Sequence, residues 1–525
     1  MIIKNQFAIL VLLVIIFSFS IRVWQLSSNP AGFFCDEAVG AYEAWSMIHL
    51  GHDSHGEKFP LFFKGLNYDN LSPFNTYLPL PFITIFGLNE FAIRLTAVTF
   101  SVIQLLVFYL TLKQIIPKGW ALLGMIMLSI SPWHFHLSRI HINDYYAWIL
   151  LINLAILFLF KGFKTNKNFY YILTSISLGL ATYSYFPSRF ISPILFLGLQ
   201  LIILFRKKIK ITLITSLVFL FILVPFILVH LTDSNSFERF KETVIPDNNS
   251  LQQNLNPKVF FLNKYLLHFS DNFLFDKGDA SFPNQFIHRH SIIGLGLLYP
   301  YQKWLIIMGL IWALFQIYSK KNYALFFVVL TLLISPVPDS LTTDSTPFAT
   351  RSYLEILPLS LFSSFGLFAA YELIKKSTKK NLLKLLFGLL LFLILLSTTT
   401  LLEKSAQNPL TTSDFWGWQY GPRDIMKYFL ANKDSYDDLY LSGEFNAGDI
   451  FLKFYDPENI CNSKCKIGDF YRQPQLINIS KRQLFSLSPE YLSKSNYGLN
   501  FKVLKTIYYP NGDTAFLIGV LKQNF

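Results

Sequence analysis

Residues 5–38 read NQFAILVLLVIIFSFSIRVWQLSSNPAGFFCDEA, and the change of character along that stretch decides the fold. Phe7 to Val23 holds no acid and is long enough to cross roughly 30 Å of hydrocarbon as a helix. Lys4 precedes it and no small-residue cleavage site follows, so it reads as a retained membrane helix rather than a removed signal peptide. Just beyond it stand two adjacent acids, Asp36 and Glu37. A carboxylate at the mouth of a membrane span can take a proton from a hydroxyl held at the depth of a lipid phosphate. The plainer reading is an acidic cap on the helix that follows, since carboxylates favour helix N-termini.

Working outward, 52% of the 525 residues are hydrophobic, 54 are Phe, and the mean hydropathy is +0.40, more apolar than one water-soluble core requires. Apolar runs recur at 5–25, 91–113, 119–137, 144–161, 169–186, 190–206, 211–230, 303–319, 322–338, 352–374 and 383–402, predicting about eleven spans. The formal charge of +13 invites a nucleic-acid reading. The cations instead cluster in alternate short loops: Lys113 and Lys118, Lys161 to Lys167, Arg206 to Lys210, Lys320 and Lys321, and Lys375 to Lys384. That asymmetry places these loops and Lys4 in the cytoplasm and excludes nucleic acid as the partner. Asp36 and Glu37, the 134–144 loop, the 183–189 turn, a long loop at 231–302, a short one at 339–351 and the tail from 403 then share the outer face.

The expected architecture is a polytopic α-helical membrane domain over 1–402 and a small extracytoplasmic α/β domain over 403–525. In the first outer loop, 26–90, Ala38 to Leu50 and Pro73 to Phe86 are too short to span and read as interfacial segments, with Tyr42, Trp45, Tyr68 and Tyr77 at headgroup level. In the tail, Asp438 to Leu441 and Phe501 to Tyr509 read as strands, Pro422 to Leu430 as a helix, and Pro510 to Asp513 as a hairpin turn. Three cysteines cannot form a disulfide scaffold; Cys461 and Cys465 are either a small disulfide or reduced bystanders.

The order Phe33, Phe34, Cys35, Asp36, Glu37, Ala38, then Leu71, Ser72, Pro73, then Phe86, Gly87, then Phe91, Ala92, Ile93, Arg94, Leu95 resembles the start of the protein mannosyltransferase and aminoarabinose transferase family. These are GT-C membrane glycosyltransferases, glycosyltransferase family 39-like, and the resemblance covers residues 1 to about 402, with its strongest match in the first 190 residues. It implies an inverting transfer of a sugar from a polyprenyl-phosphate donor to a protein, lipid or glycan hydroxyl on the outer face of the cytoplasmic membrane. By motif position, Asp36 would be the base and Glu37 would help place acceptor or donor. Arg94 would pair with these acids or hold the donor phosphate, a role suited to a fork of parallel N–H donors.

Further candidates lie on the same face. Arg139 is assigned to the donor phosphate with Asp144 orienting it, against simple snorkelling of a span-end arginine. His134, His136 and His141 invite a metal, but no matched acid accompanies them. Tyr183, Tyr185 and Arg189 resemble the family's tyrosine-rich turn with a following arginine and would line the donor pocket, although an aromatic belt looks the same. Arg289 and His290 would meet sugar hydroxyls or phosphate, or be ordinary solvated loop residues. Arg351, after Asp339 and Asp344, is read as a phosphate ligand. Oligosaccharyltransferase relatives hold a divalent ion with several acids; the second acidic motif is missing here, so no cofactor and metal-independent catalysis are expected. The alternative function is a transporter or flippase of lipid-linked sugars, which should show related halves or helices interrupted at the bilayer midplane. Donor sugar and acceptor identity cannot be read from the chain.

Overall fold

The computed structural model describes residues 2–66, 70–233, 256–282, 288–342, 346–376, 380–478, 480–495 and 500–521. Tyr68 and Asp344, both used above, lie outside them. Eight helices among the described residues are long and apolar enough to cross a membrane, within Gln6–Val23, Glu90–Leu112, Tyr145–Thr165, Ser188–Phe205, Ile209–Thr232, Tyr323–Ser340, Tyr353–Lys376 and Asn381–Thr412. The other three expected spans are helical in place but different in kind. The run 119–137 is not one helix: Lys118–Ser129 ends, and Pro132–Leu137 restarts with proline in its first turn, where the missing N–H costs nothing. Asn168–Ala181 is shorter than expected, and Gln302–Lys320 carries Gln302, Lys303, Gln316 and Lys320.

Helices pack closely where side chains shrink to a hydrogen. Gln302–Lys320 crosses Ile356–Lys376 with Gly309 against the backbone of Phe362, and Gly366 against that of Leu305. A Cβ on either glycine would fall 1.8 Å from a carbonyl oxygen. Small residues at a crossing are how apolar helices approach when lipid offers no hydrophobic drive.

Of the two segments expected at the interface, the first packs inside the protein, whereas Leu80–Phe86 in the second buries only Ile83 and leaves Ile85 and Phe86 exposed. Cys35–His49 is an inner helix whose Ala38, Ala41 and Ala44 are fully buried, with Trp45 in the same core. Pro73–Tyr77 and Leu80–Phe86 are two short helices separated at Leu78 and Pro79. The cationic loops lie at the other ends of the helices; there, for example, Arg206 donates to the Phe163 carbonyl at 3.2 Å and Lys208 to that of Asn166 at 3.1 Å.

The last long helix runs from Lys380 to Thr412, beyond the boundary expected at 402. A five-stranded sheet follows, in the order Cys465–Ile467, Asp438–Leu441, Gln483–Leu487, Thr514–Leu521, Phe501–Tyr508. The first two pairings are parallel and the last two antiparallel, with Pro510 to Asp513 turning the final hairpin. Cys461 and Cys465 form a disulfide with their Cα atoms 5.8 Å apart.

Candidate active site

Asp36 and Glu37 occupy the first turn of the Cys35–His49 helix, and their neighbours divide them. Glu37 turns inward and is fully buried. Its Oε1 accepts from Arg94 Nε at 3.1 Å and from the His141 backbone N–H at 3.0 Å, and its Oε2 accepts from Arg94 Nη2 at 2.9 Å. Arg94, also fully buried, donates further to the carbonyls of Leu26 at 3.3 Å, Pro30 at 2.9 Å and Gly32 at 2.6 Å. A guanidinium has five N–H groups, and these five bonds use them all. Of the two roles expected for Arg94, the acid pairing is present and no donor is left for a phosphate. Glu37 is likewise closed to substrate; it ties the Cys35–His49 helix to Arg94 of the Glu90–Leu112 helix, and Arg94 in turn holds the loop carbonyls.

Asp36 is only half-buried. The Cys35 thiol approaches its Oδ1 at 3.7 Å, and Arg289 and Tyr145 lie within electrostatic reach. The Arg289 guanidinium stacks 3.6 Å from the ring centroid of Phe34 and donates to the Gly417 carbonyl at 3.0 Å, while its buried Nε has no hydrogen-bond partner among the described residues. Burial pulls this guanidinium down from its usual range, and the carboxylates of Asp36 and Asp414 pull it back up. Tyr185 meets Tyr145 edge to face at 4.6 Å, so the turn after the Asn168–Ala181 helix supplies an aromatic wall. Thus Asp36, Arg289, Tyr145 and Tyr185, distant in sequence, converge.

A second cationic centre adjoins Asp144. Arg189 donates to the Asn70 carbonyl at 2.6 Å, meets His230 Nε2 at 3.3 Å, and lies over the rings of Phe62, Phe186 and Phe226. Lys64, which sequence reasoning missed, pairs with Asp233 at 2.5 Å and donates to Asn70 Oδ1 at 3.1 Å. Lys64 reaches this place because Phe63–Lys64 pairs with Asn70–Leu71, a contact no local pattern announces. Asp144 is fully buried, accepts from Ser72 Oγ at 2.9 Å, and is pushed up to about 7 by burial against the opposing pulls of Ser72 and Arg189. It does not touch Arg139.

A carboxyl raised in the fold binds its proton more tightly there than in the unfolded chain, so stability falls as pH rises from about 4 to about 7. Asp144→Asn should therefore melt like wild type at pH 4 and higher than wild type at pH 8. Thermal unfolding of the full chain in detergent at both pH values checks this; a lower melting point at pH 8 would show that the charged carboxylate is needed.

Arg139 is removed from the donor role expected for it. It is buried and grips the carbonyls of Ile21 at 3.3 Å, Trp24 at 3.0 Å and Asn29 at 2.7 Å, where the first membrane helix ends and leaves its last carbonyls unpaired. Tyr183 is structural too, donating to the Ile222 carbonyl at 2.5 Å. The three histidines diverge. His134 bonds Gln104 and the buried Arg22, His136 the Arg289 carbonyl, and His141 the Asn75 carbonyl. Among the described residues no three His, Cys, Asp or Glu side chains gather as a metal site.

Arg351 belongs to an ion cluster centred on buried Asp339, with Arg351 at 3.5 Å, Lys264 at 3.6 Å and His268 at 3.0 Å. Arg351 also donates to Thr342 Oγ1 at 3.0 Å. Lys264 and His268 were missed because a Lys and a His four apart on a loop helix look like ordinary polarity. His290 sits 3.5 Å from Asp279, whose carboxylate accepts from Ser291 Oγ at 2.6 Å and the Ala349 N–H at 3.0 Å, tying the 288–291 segment to the 346–351 loop.

Residues 71–230 match the family model of dolichyl-phosphate-mannose-protein mannosyltransferase. No curated protein sequence matches the chain. In fold it is similar to ArnT from Cupriavidus metallidurans in the apo state, at 12% identity over 97% of each chain with a TM-score of 0.57. The same protein bound to undecaprenyl phosphate matches at 12% over 97% of each chain, TM-score 0.54. The oligosaccharyltransferase of Archaeoglobus fulgidus tethered to an acceptor peptide matches at 12% over 96% of this chain and 74% of that one, TM-score 0.51. At such identities the likeness is one of fold.

Proposed function

We propose that this chain, a multi-pass membrane protein with the GT-C fold of the protein mannosyltransferase and aminoarabinose transferase type, moves a sugar with inversion from a polyprenyl-phosphate donor to an acceptor hydroxyl. The observation that carries the reading is the division of the acid pair: Glu37 is locked to Arg94, while Asp36 stays only half-buried beside the Arg289 guanidinium. Asp36 takes the proton of the acceptor hydroxyl as its oxygen bonds to the anomeric carbon. The bond from that carbon to the phosphate oxygen breaks, and its electron pair leaves with polyprenyl phosphate. Arg289, with the Lys64 and Arg189 centre farther along the same end of the bundle, offsets the charge that develops there. A phosphate leaving group needs little protonation, so no second carboxylic acid is required, unlike in a glycosidase.

One similar structure holds undecaprenyl phosphate and another an acceptor peptide, which supports a lipid-phosphate donor and a separate acceptor here. Metal is not invoked: Asp36 faces a guanidinium and Glu37 is committed to another, a poor cage for a divalent ion. The direct test is transfer of label from a panel of polyprenyl-phosphate sugars in membranes containing the chain, with the product's anomeric configuration read by NMR. Label transferred with inversion is expected. Donor left unconsumed across the panel would sink the reading in favour of transport of lipid-linked sugars.

We place the reaction on the outer face of the cytoplasmic membrane, with the N-terminus inside. Asn511, exposed on the final hairpin, offers a check. Asn511→Cys should react with a membrane-impermeant maleimide in intact cells as fully as in lysed ones; labelling only after lysis would reverse the orientation.

A further inference from the structure

The linker from the last long helix to the sheet, residues 413–421, reads SDFWGWQYG and lies against the residues that flank Asp36. Trp418 is fully buried, and its carbonyl oxygen lies 2.2 Å from where a Cβ on Gly32 would stand, so the two backbones touch with no room for a side chain. The Cys35 N–H donates to Gln419 Oε1 at 2.8 Å, and Gln419 Nε2 donates to the Asn446 carbonyl of the sheet domain at 2.8 Å. Arg289 donates to the Gly417 carbonyl at 3.0 Å. Asp414 accepts from the N–H groups of Gly417 and Trp418, closing the linker into a tight turn within electrostatic reach of Arg289.

Three aromatic residues on this turn go three ways. Phe415 enters the sheet domain against Phe445 and Phe516, and Trp418 is fully buried. Trp416 is left 61% exposed, its indole braced edge-on by Phe415 at 5.3 Å. The bonds of Arg289 and Asp414 to Gly417 fix the backbone next to it. We propose that this linker is a sugar-binding wall of the site, with the Trp416 indole as the platform for a pyranose ring. The proposal rests on the transferase reading for its substrate class. An indole gives a large apolar face at low entropic cost, suited to the C–H face of a pyranose, while the neighbouring carbonyls and Arg289 suit its hydroxyls. An exposed Trp can also be an anchor in the membrane interface. This one sits instead on a turn clamped between an arginine beside Asp36 and the sheet domain.

The test measures binding of three probes to the full chain in nanodiscs: undecaprenyl phosphate, a panel of undecaprenyl-phosphate hexoses, and methyl hexopyranosides. Trp416→Ala should bind bare undecaprenyl phosphate as wild type does and lose about tenfold in affinity for a sugar-bearing probe, the size expected when an aromatic covered by its ligand is truncated. Loss on the undecaprenyl-phosphate hexose assigns the ring to the donor; loss on the methyl hexopyranoside alone assigns it to the acceptor. Trp416→Phe should recover part of the loss, which separates a ring contact from a disturbed turn. Unchanged binding of every probe, equal weakening of the bare carrier, or no sugar-dependent binding by wild type would each overturn the proposal. Failure of the transferase reading shows separately, as absent transfer by a wild type that still binds sugar through Trp416.

Discussion

Asp36→Asn should lower transfer by at least about a hundredfold, the size expected when a general base is removed, with protein level and melting point unchanged. The asymmetry of the acid pair gives this prediction its shape. Asp36 is half-buried, and the Arg94 bonds to the acid pair go to Glu37 rather than to it. Asn has nearly the same shape and can still accept from the Cys35 thiol, which approaches Asp36 Oδ1 at 3.7 Å. What it cannot do is take a proton from an acceptor hydroxyl. The measurement is single-turnover consumption of labelled donor at matched protein level. An Asp36→Asn protein that keeps most of its transfer would remove Asp36 as the base, and a lowered melting point would reassign the residue to structure.

The helices were legible because each apolar run carries its own signal, and the acid pair because two carboxylates at a span exit stand out in so apolar a chain. The sequence reading failed where partners are backbone atoms or distant residues. Arg94 and Arg139 have the sequence setting of phosphate ligands, yet their guanidinium groups collect carbonyls from the end of the first helix and the loop that follows it. No periodicity reveals where a carbonyl will point. Arg22, which no sequence pattern singles out, is fully buried and bonds the Ser129 carbonyl, Ser138 and His134. The break in 119–137 was written in Ser131 and Pro132 and was read through because the apolar content continues. Residues 413–421 were assigned to a separate tail, and only tertiary structure brings them beside Cys35 and Arg289.

Arg94→Ala should have the larger effect on the protein itself. It strands the fully buried Glu37 carboxylate with only the His141 N–H at 3.0 Å and a long contact from the Phe34 N–H at 3.4 Å. It also leaves the carbonyls of Leu26, Pro30 and Gly32 without these donors. Removing one partner of a buried pair costs about 3–5 kcal/mol, a large part of the roughly 5–15 kcal/mol that holds a typical domain folded. Little Arg94→Ala protein should therefore accumulate. Arg94→Lys should rescue it only in part, because an ammonium has three donors for five acceptors and no planar fork. Glu37→Gln should be destabilised for the converse reason, a buried guanidinium facing a neutral amide. Because both residues act through one contact, the Glu37→Gln, Arg94→Ala double variant should lose less than the sum of the single losses. Size-exclusion profiles and melting points of the four full-length proteins in one detergent measure this cycle. If Arg94 instead held the donor phosphate, Arg94→Ala would accumulate and melt normally while its KM for donor rose, and the Glu37 pairing would carry no stability.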